Sequence, residues 1–320
     1  MCPLKSESCV FKNVNGSVIL RLYVDDSIVV GKDCRVADLL LEGLEREFET
    51  RFLGMEIMRN EKGLHLNQTG RMAQLLEAYN MTEAKPAPIP ANCLFLTRPD
   101  ISYAVNRCSR RVENPTEEDV VSIKRVLRYL RCTEHLGIRF GGSSPTEQLV
   151  GFYDANFAGD PQSRRNTTGY VTYYCGGPII WSIRKQPMVA LSTEEAEYIA
   201  DAECTKELMY LKAFLDEILG KEVTARLHVD NQSALILKNG VLNRRSKHID
   251  VQFHYIHKKV SEGLVKVHYC HSGRQKADIF TKLLPGVKFK THLSEIVCRE
   301  LHRNTENCKL GGSVGNYHCV

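Results

Sequence analysis

Four acidic side chains, Asp154, Glu197, Asp230 and Asp278, are spread through the second half of the chain. Their interest lies in what they would do if folding brought them together. Carboxylates held close repel one another and drift toward the protonated form. A divalent cation removes that conflict. Mg²⁺ (or Mn²⁺) takes hard oxygen ligands and keeps several waters, which suits a loose carboxylate cluster. Two such ions about 4 Å apart activate a water and stabilise the leaving oxygen in phosphodiester cleavage. The four acids therefore define a candidate two-metal nuclease site, in which each is both catalytic residue and metal ligand. Taken singly, each is an ordinary surface charge, so the reading depends on the elements that carry them.

From residue 149 onward, strands and helices alternate. Residues 149–157 read as a strand holding Asp154, and 169–174 with 178–183 as a hairpin around Gly176-Gly177. A long helix spans 194–219 and stops at Gly220. A strand at 225–229 puts Asp230 at its end, where open α/β sheets handle ligands. Short helices are expected at 232–238 and 248–261, a strand at 264–270, and a helix over 275–284 ended by Pro285-Gly286, with Asp278 near its start. The segment LSTEEAEYIADAEC offers several acids. Ala200, Cys204, Leu208, Leu211 and Leu215 form one apolar stripe with Glu197 at its head, whereas Glu195 points nearly opposite. Glu197 is the choice and Glu195 the fallback.

The first half differs. Residues 18–24 and 27–30 are apolar runs of strand length, with Asp25 and Asp26 between them, and 39–48 reads as an amphipathic helix. AKPAPIP at 84–90 is a linker or extended crossing. Residues 117–131 form a helix with Val120, Ile123, Val126, Leu127 and Leu130 on one side and Lys124, Arg128 and Arg131 on the other. Its basic side reads either as a solvated face or as a helix laid along a phosphate backbone. GGSSPTEQ at 141–148 is the best domain boundary.

The 320 residues leave room for about two domains. The net charge of +5 is compatible with a nucleic-acid partner without arguing for one. Twelve cysteines are scattered without CxxC pairs, and His268, Cys270 and His271 lack the second half of a zinc site. The first residues, MCPLKSESCVFKN, have no signal-like apolar run, and no stretch approaches a membrane span. An intracellular, reducing location with free thiols is expected. The order of assembly is open.

Family likeness adds to this reading. FYDANFAGD, SRRNTTGYVTYYCGGPIIWSIRKQPMVALSTEEAEYIA, HVDNQSA, RRSKHIDVQFHYI and KADIFTKLLP occur in this order. Together they resemble the ribonuclease H domain of copia-type retrotransposon polyproteins. The resemblance implies an α/β, ribonuclease H-like mixed sheet with flanking helices, Mg²⁺ dependence, and cleavage of the RNA strand of an RNA–DNA hybrid. It puts the catalytic acids on Asp154, Glu197, Asp230 and Asp278. A histidine that aids product release in such enzymes would be His271 or His268. Arg244, Arg245, Lys247 and His248 read either as a phosphate contact or as a solvated loop. LRLYVDDSIVVGKD, RFLGMEI, GLHLNQTGRMAQLLEAYNM, LTRPDISYAVNRCSR and VLRYL resemble the last part of a copia-type reverse transcriptase, with Asp25 and Asp26 as its paired palm acids. Only 22 residues precede Tyr23, and loops look shortened after FET and after PIPAN. The expectation is a truncated α+β palm at 1–83, a helical thumb or connection remnant at 84–140, a ribonuclease H-like domain at 149–285 and a poorly ordered tail at 286–320. Polymerase activity from this chain alone is not expected. The competing reading is an inactive relic, or a non-enzymatic nucleic-acid binder.

Overall fold

The computed structural model describes residues 2–16, 18–23, 26–31, 55–60, 63–79, 81, 97–141, 147–159, 164–187, 189–190, 192–229, 250–299 and 307–309. Among them, strands β1 (Cys2–Pro3), β2 (Val10–Lys12), β3 (Val18–Tyr23) and β4 (Asp26–Gly31) form an antiparallel sheet in sequence order. Next come β5 (Glu56–Asn60), β6 (Gly63–Asn67), helices α1 (Thr69–Ala78), α2 (Ser102–Ser109) and α3 (Glu117–Cys132), and β7 (Leu136–Phe140). The second half holds β8 (Gln148–Asn156), β9 (Thr167–Tyr174), β10 (Gly177–Lys185), α4 (Thr193–Leu219), β11 (Thr224–Val229), α5 (Asp250–Ser261) and β12 (Val265–Tyr269). A short turn α6 (Asp278–Thr281), helix α7 (Gly286–Ile296), β13 (Cys298–Arg299) and β14 (Asn307–Lys309) follow.

The second-half sheet has the order β10-β9-β8-β11-β12. Its first three strands are antiparallel, and β11 runs parallel to both β8 and β12. This is the expected mixed sheet with flanking helices. The β9–β10 turn is one residue earlier than the glycine pair suggests. Cys175 and Gly176 both take positive φ (49° and 81°), the geometry of a tight hairpin turn, and Gly177 already pairs with Tyr174. Helix α4 begins where Ser192 accepts a hydrogen bond from the Glu195 amide, and ends at Gly220 in the left-handed conformation. Alternation along β8 divides its side chains. Leu149, Tyr153 and Ala155 join Ala196, Ala200, Cys204, Leu208 and Leu211 of α4 in one core, while Phe152 joins the core on the other face.

That other core crosses the expected boundary at 141–148. Met72, Ile101, Val126, Tyr129, Leu130, Leu136 and Ile138 pack with Phe152, Val171, Tyr173, Ala277, Phe280, Phe289, Ile296 and Val297. The Gly- and Ser-rich composition marks a connection, but the apolar faces on either side of it need each other. Under them lies a buried polar knot. Arg98 makes a two-pronged ion pair with Asp100 at 2.9 and 2.8 Å and donates to the Thr133 carbonyl at 2.8 Å; the Tyr129 hydroxyl donates to Asp100 at 2.8 Å. The first turns of α3 stay outside this core, with Val120 and Ile123 exposed rather than buried with Val126, Leu127 and Leu130. At the amino-terminal end, Glu217 of α4 accepts from the Lys5 and Ser6 amides, and the Lys12 ammonium donates to the Glu217 and Ile218 carbonyls that end the helix.

Two expectations need correction. Residues 275–284 are not one helix: the chain makes a turn at Ser272–Arg274, then only α6, and Lys282 is extended. Residues 286–296 are not a frayed tail. Pro285 serves as the amino-terminal cap of α7, and Phe289, His292 and Ile296 are buried along one side of it. A proline next to a glycine signals a stop in the sequence, but proline is equally suited to a helix start. The expected helices at 39–48 and 232–238 lie outside the described residues.

Candidate active site

Asp154 sits near the end of β8, on the face opposite α4, and is 1% exposed. Asp278 opens α6 and is 3% exposed. The structure brings these two together. The Lys282 ammonium lies 2.9 Å from Asp154 Oδ1 and 3.0 Å from Asp278 Oδ1. The Thr281 hydroxyl donates to Asp154 Oδ2, and the Lys288 ammonium to Asp278 Oδ2. Burial pushes the Asp154 carboxyl above its ordinary range, opposed by Lys282 and the Thr281 hydrogen bond. Lys282 is held above the usual lysine value by the two carboxylates, against its own desolvation.

Glycine at 169 makes this approach possible. Gly169 pairs with Asp154 across β8 and β9. A Cβ there would stand 2.7 Å from Phe280 Cβ and 2.7 Å from Thr281 Cγ2. Without it, α6 lies directly on the sheet. Asn156 adds a second tie, donating to the Thr281 carbonyl at 3.1 Å.

Glu197 comes from another direction. It is half-buried in the first turns of α4, which pack on the face carrying Leu149 and Tyr153. Glu195, the fallback, is more buried, at 7% exposure. One turn beyond Glu197 lies Asp201, fully buried, accepting from Thr205 at 3.1 Å. Burial raises its carboxyl to about 7, while hydrogen bonds from Thr205 and Tyr153 act the other way.

Asp230, Arg244, Arg245, Lys247 and His248 lie outside the described residues, as does Asp25. Of Asp26 the backbone is described: it pairs with Tyr23 across β3 and β4. His271 is exposed and its Nδ1 accepts from the Gly273 amide at 3.1 Å. His268 belongs to a ladder across three strands, stacked on His228, which stacks on Phe152. Desolvation, with help from His268, lowers His228 to about 4. Among the described residues, no three His, Cys, Asp or Glu side chains form a metal-holding group, and the cysteines whose side chains are described form no disulfide with one another. The site partners that sequence reading missed are Thr281, Lys282, Lys288, Gly169 and Asn156. Only Lys282 carried a signal, four residues after Asp278 at the spacing of a helical ion pair.

The comparisons with known proteins bear on the whole chain. The retrovirus-related Pol polyprotein from transposon TNT 1-94 of Nicotiana tabacum is 36% identical over 92% of this chain and 25% of its own length. That from transposon RE1 of Arabidopsis thaliana is 35% identical over 87% of this chain and 21% of its own. The chain belongs to the Pol polyproteins of copia-type retrotransposons. It spans about a quarter of the length of these Pol relatives. No family model matches it. Among solved structures, LC11-RNase H1 is 17% identical, with 42% of this chain and 94% of that chain covered at a TM-score of 0.33. Its complex with an RNA/DNA hybrid is 14% identical with the same TM-score of 0.33. The described residues of this Pol-type chain have a mixed α/β fold. No described helix is long and apolar enough to cross a membrane.

Proposed function

We propose that the chain is a metal-dependent ribonuclease H that hydrolyses the RNA strand of RNA–DNA hybrids, using Asp154, Glu197, Asp230 and Asp278. The observation that carries this is the convergence of Asp154 and Asp278 on one cationic centre, the Lys282 ammonium, 2.9 and 3.0 Å away. Two buried carboxylates that share a cation have the donor chemistry for Mg²⁺ or Mn²⁺. Such an ion, when bound, supplies a Lewis acid for the scissile phosphate and an activated water. The chain's own groups do the rest. Thr281 orients Asp154 through its hydroxyl, and Lys288 anchors the far oxygen of Asp278. Glu197 and Asp230 would complete the ligand set. Arg244, Arg245, Lys247 and His248 would contact the backbone, and His271 or His268 would assist product release. The substrate is distinguished by its 2′-hydroxyls and backbone shape rather than by base sequence. Asp25 and Asp26 would be the paired palm acids of a polymerase.

The full chain should shorten the RNA of a labelled hybrid in Mg²⁺ and stop on chelation. Asp154→Asn and Asp230→Asn should each abolish cutting. Cutting untouched by both changes would sink the assignment. Salt-dependent hybrid binding with no metal-dependent cutting would make the chain a nucleic-acid binder instead.

A further inference from the structure

Every oxygen of the Asp154–Asp278 pair already has a donor from the chain. Asp154 receives Lys282 and Thr281, and Asp278 receives Lys282 and Lys288. Two carboxylates face two ammoniums, so the cluster is charge-balanced. The partners differ in freedom. The carboxylate side chains are 1% and 4% exposed, whereas those of Lys282 and Lys288 are 40% and 37% exposed. The acids are fixed by a strand and a helical turn packed on it. The lysines reach in from the solvent side on flexible stems, and Lys282 leaves from extended backbone at the end of α6. The movable members of the cluster are therefore the cations.

We propose that Lys282 is a built-in counterion that occupies the carboxylate pair until a divalent cation displaces it, so that metal entry is an exchange of charges. The inference rests on the metal reading of the site given above. It explains how two buried carboxylates stand side by side in a folded chain: the ammonium offsets a repulsion that would otherwise protonate one of them or force them apart. It also fixes the sign of the coupling. Whatever Lys282 contributes to the metal-free fold is withdrawn from metal affinity, because the two cations compete for the same oxygens and such linkage is reciprocal.

The test is calorimetric titration of the full chain with Mn²⁺, together with thermal unfolding in its absence. Lys282→Met should lower the melting temperature without metal and tighten Mn²⁺ binding roughly tenfold, within the usual range for coupled sites. Lys282→Arg keeps a cation in place and should stay near wild type. Should Lys282→Met fail to fold without metal, Lys288→Met removes only the outer contact to Asp278 and should tighten Mn²⁺ binding by a smaller factor. Equal or weaker Mn²⁺ binding in the methionine variants, lost in Asp154→Asn, overturns the exchange but leaves the metal site standing. If Mn²⁺ binds none of these proteins, or binds all of them regardless of Asp154→Asn, the metal reading and the exchange fall together.

Discussion

Gly169 lies directly beneath Thr281, so close that a Cβ at 169 would sit 2.7 Å from the threonine methyl. The same glycine is the cross-strand partner of Asp154. A missing side chain on β9 thus sets the height at which Thr281 meets the carboxylate on β8. Gly169→Ala should lift α6 off the sheet and cost about 1–3 kcal/mol of stability through overpacking. Denaturant unfolding measures this. Unchanged stability would show that α6 yields without cost.

Asp201 gives the fold a pH dependence of known sign. Its carboxyl is raised to about 7 by burial, so the folded chain keeps a proton that the unfolded chain releases near pH 4. Its contribution is fully present below pH 4, declines as pH rises toward 7, and is flat above that. Asp201→Asn has nothing to ionise and should therefore gain on wild type across this window, by roughly 2–4 kcal/mol in total. Urea midpoints at about pH 4.5 and 7.5, each just above one end of the window, would show most of it. Parallel pH profiles for the two proteins would mean that Asp201 is ionised in the fold.

The knot at Arg98 should be among the costliest places to break. Arg98 and Asp100 are 0% and 2% exposed, and Asp100→Ala would leave a guanidinium buried without its partner. A loss of about 3–5 kcal/mol is expected. Tyr129→Phe, which removes one hydrogen bond to Asp100, should cost about 1–2 kcal/mol. If both changes cost the same small amount, water reaches the pair.

A fragment of residues 149–285 should be a poor surrogate for the chain. It omits Met72, Ile101, Val126, Tyr129, Leu130, Leu136, Ile138, Phe289 and Ile296, which close the core over Phe152 and Tyr173. The fragment should bind a hydrophobic dye and aggregate, whereas one spanning 63–299 should not. A soluble, cooperatively unfolding 149–285 fragment would show that the two faces are separable.

Much of the second half was legible in the sequence because its signals are local. Alternation marks β8 and β9, Ser192 and Gly220 bracket α4, and the apolar stripe from Ala200 to Leu211 faces the sheet as its period implies. The 275–284 segment defeated the same reasoning because α6 is held short by contacts, with Thr281 and Lys282 turned to Asp154 on a distant strand. The core crossing 141–148 was hidden for a related reason. Composition reports where a chain turns and says nothing about whether the faces before and after the turn are complementary. At the site, the acids stand out by type and by family likeness. Gly169 does not, because its role is to leave space for residues more than a hundred positions away.

The contacts of Glu217 have a mechanical meaning. Its carboxylate holds the Lys5 and Ser6 amides, and the Lys12 ammonium grips the last carbonyls of the same helix. Tension on the amino-terminal end would pass into α4 through this clasp and bypass the covalent path through the intervening residues. The first thing to give way would be a few hydrogen bonds around one helix end, and the load would reach the five-stranded sheet before any strand of it had moved.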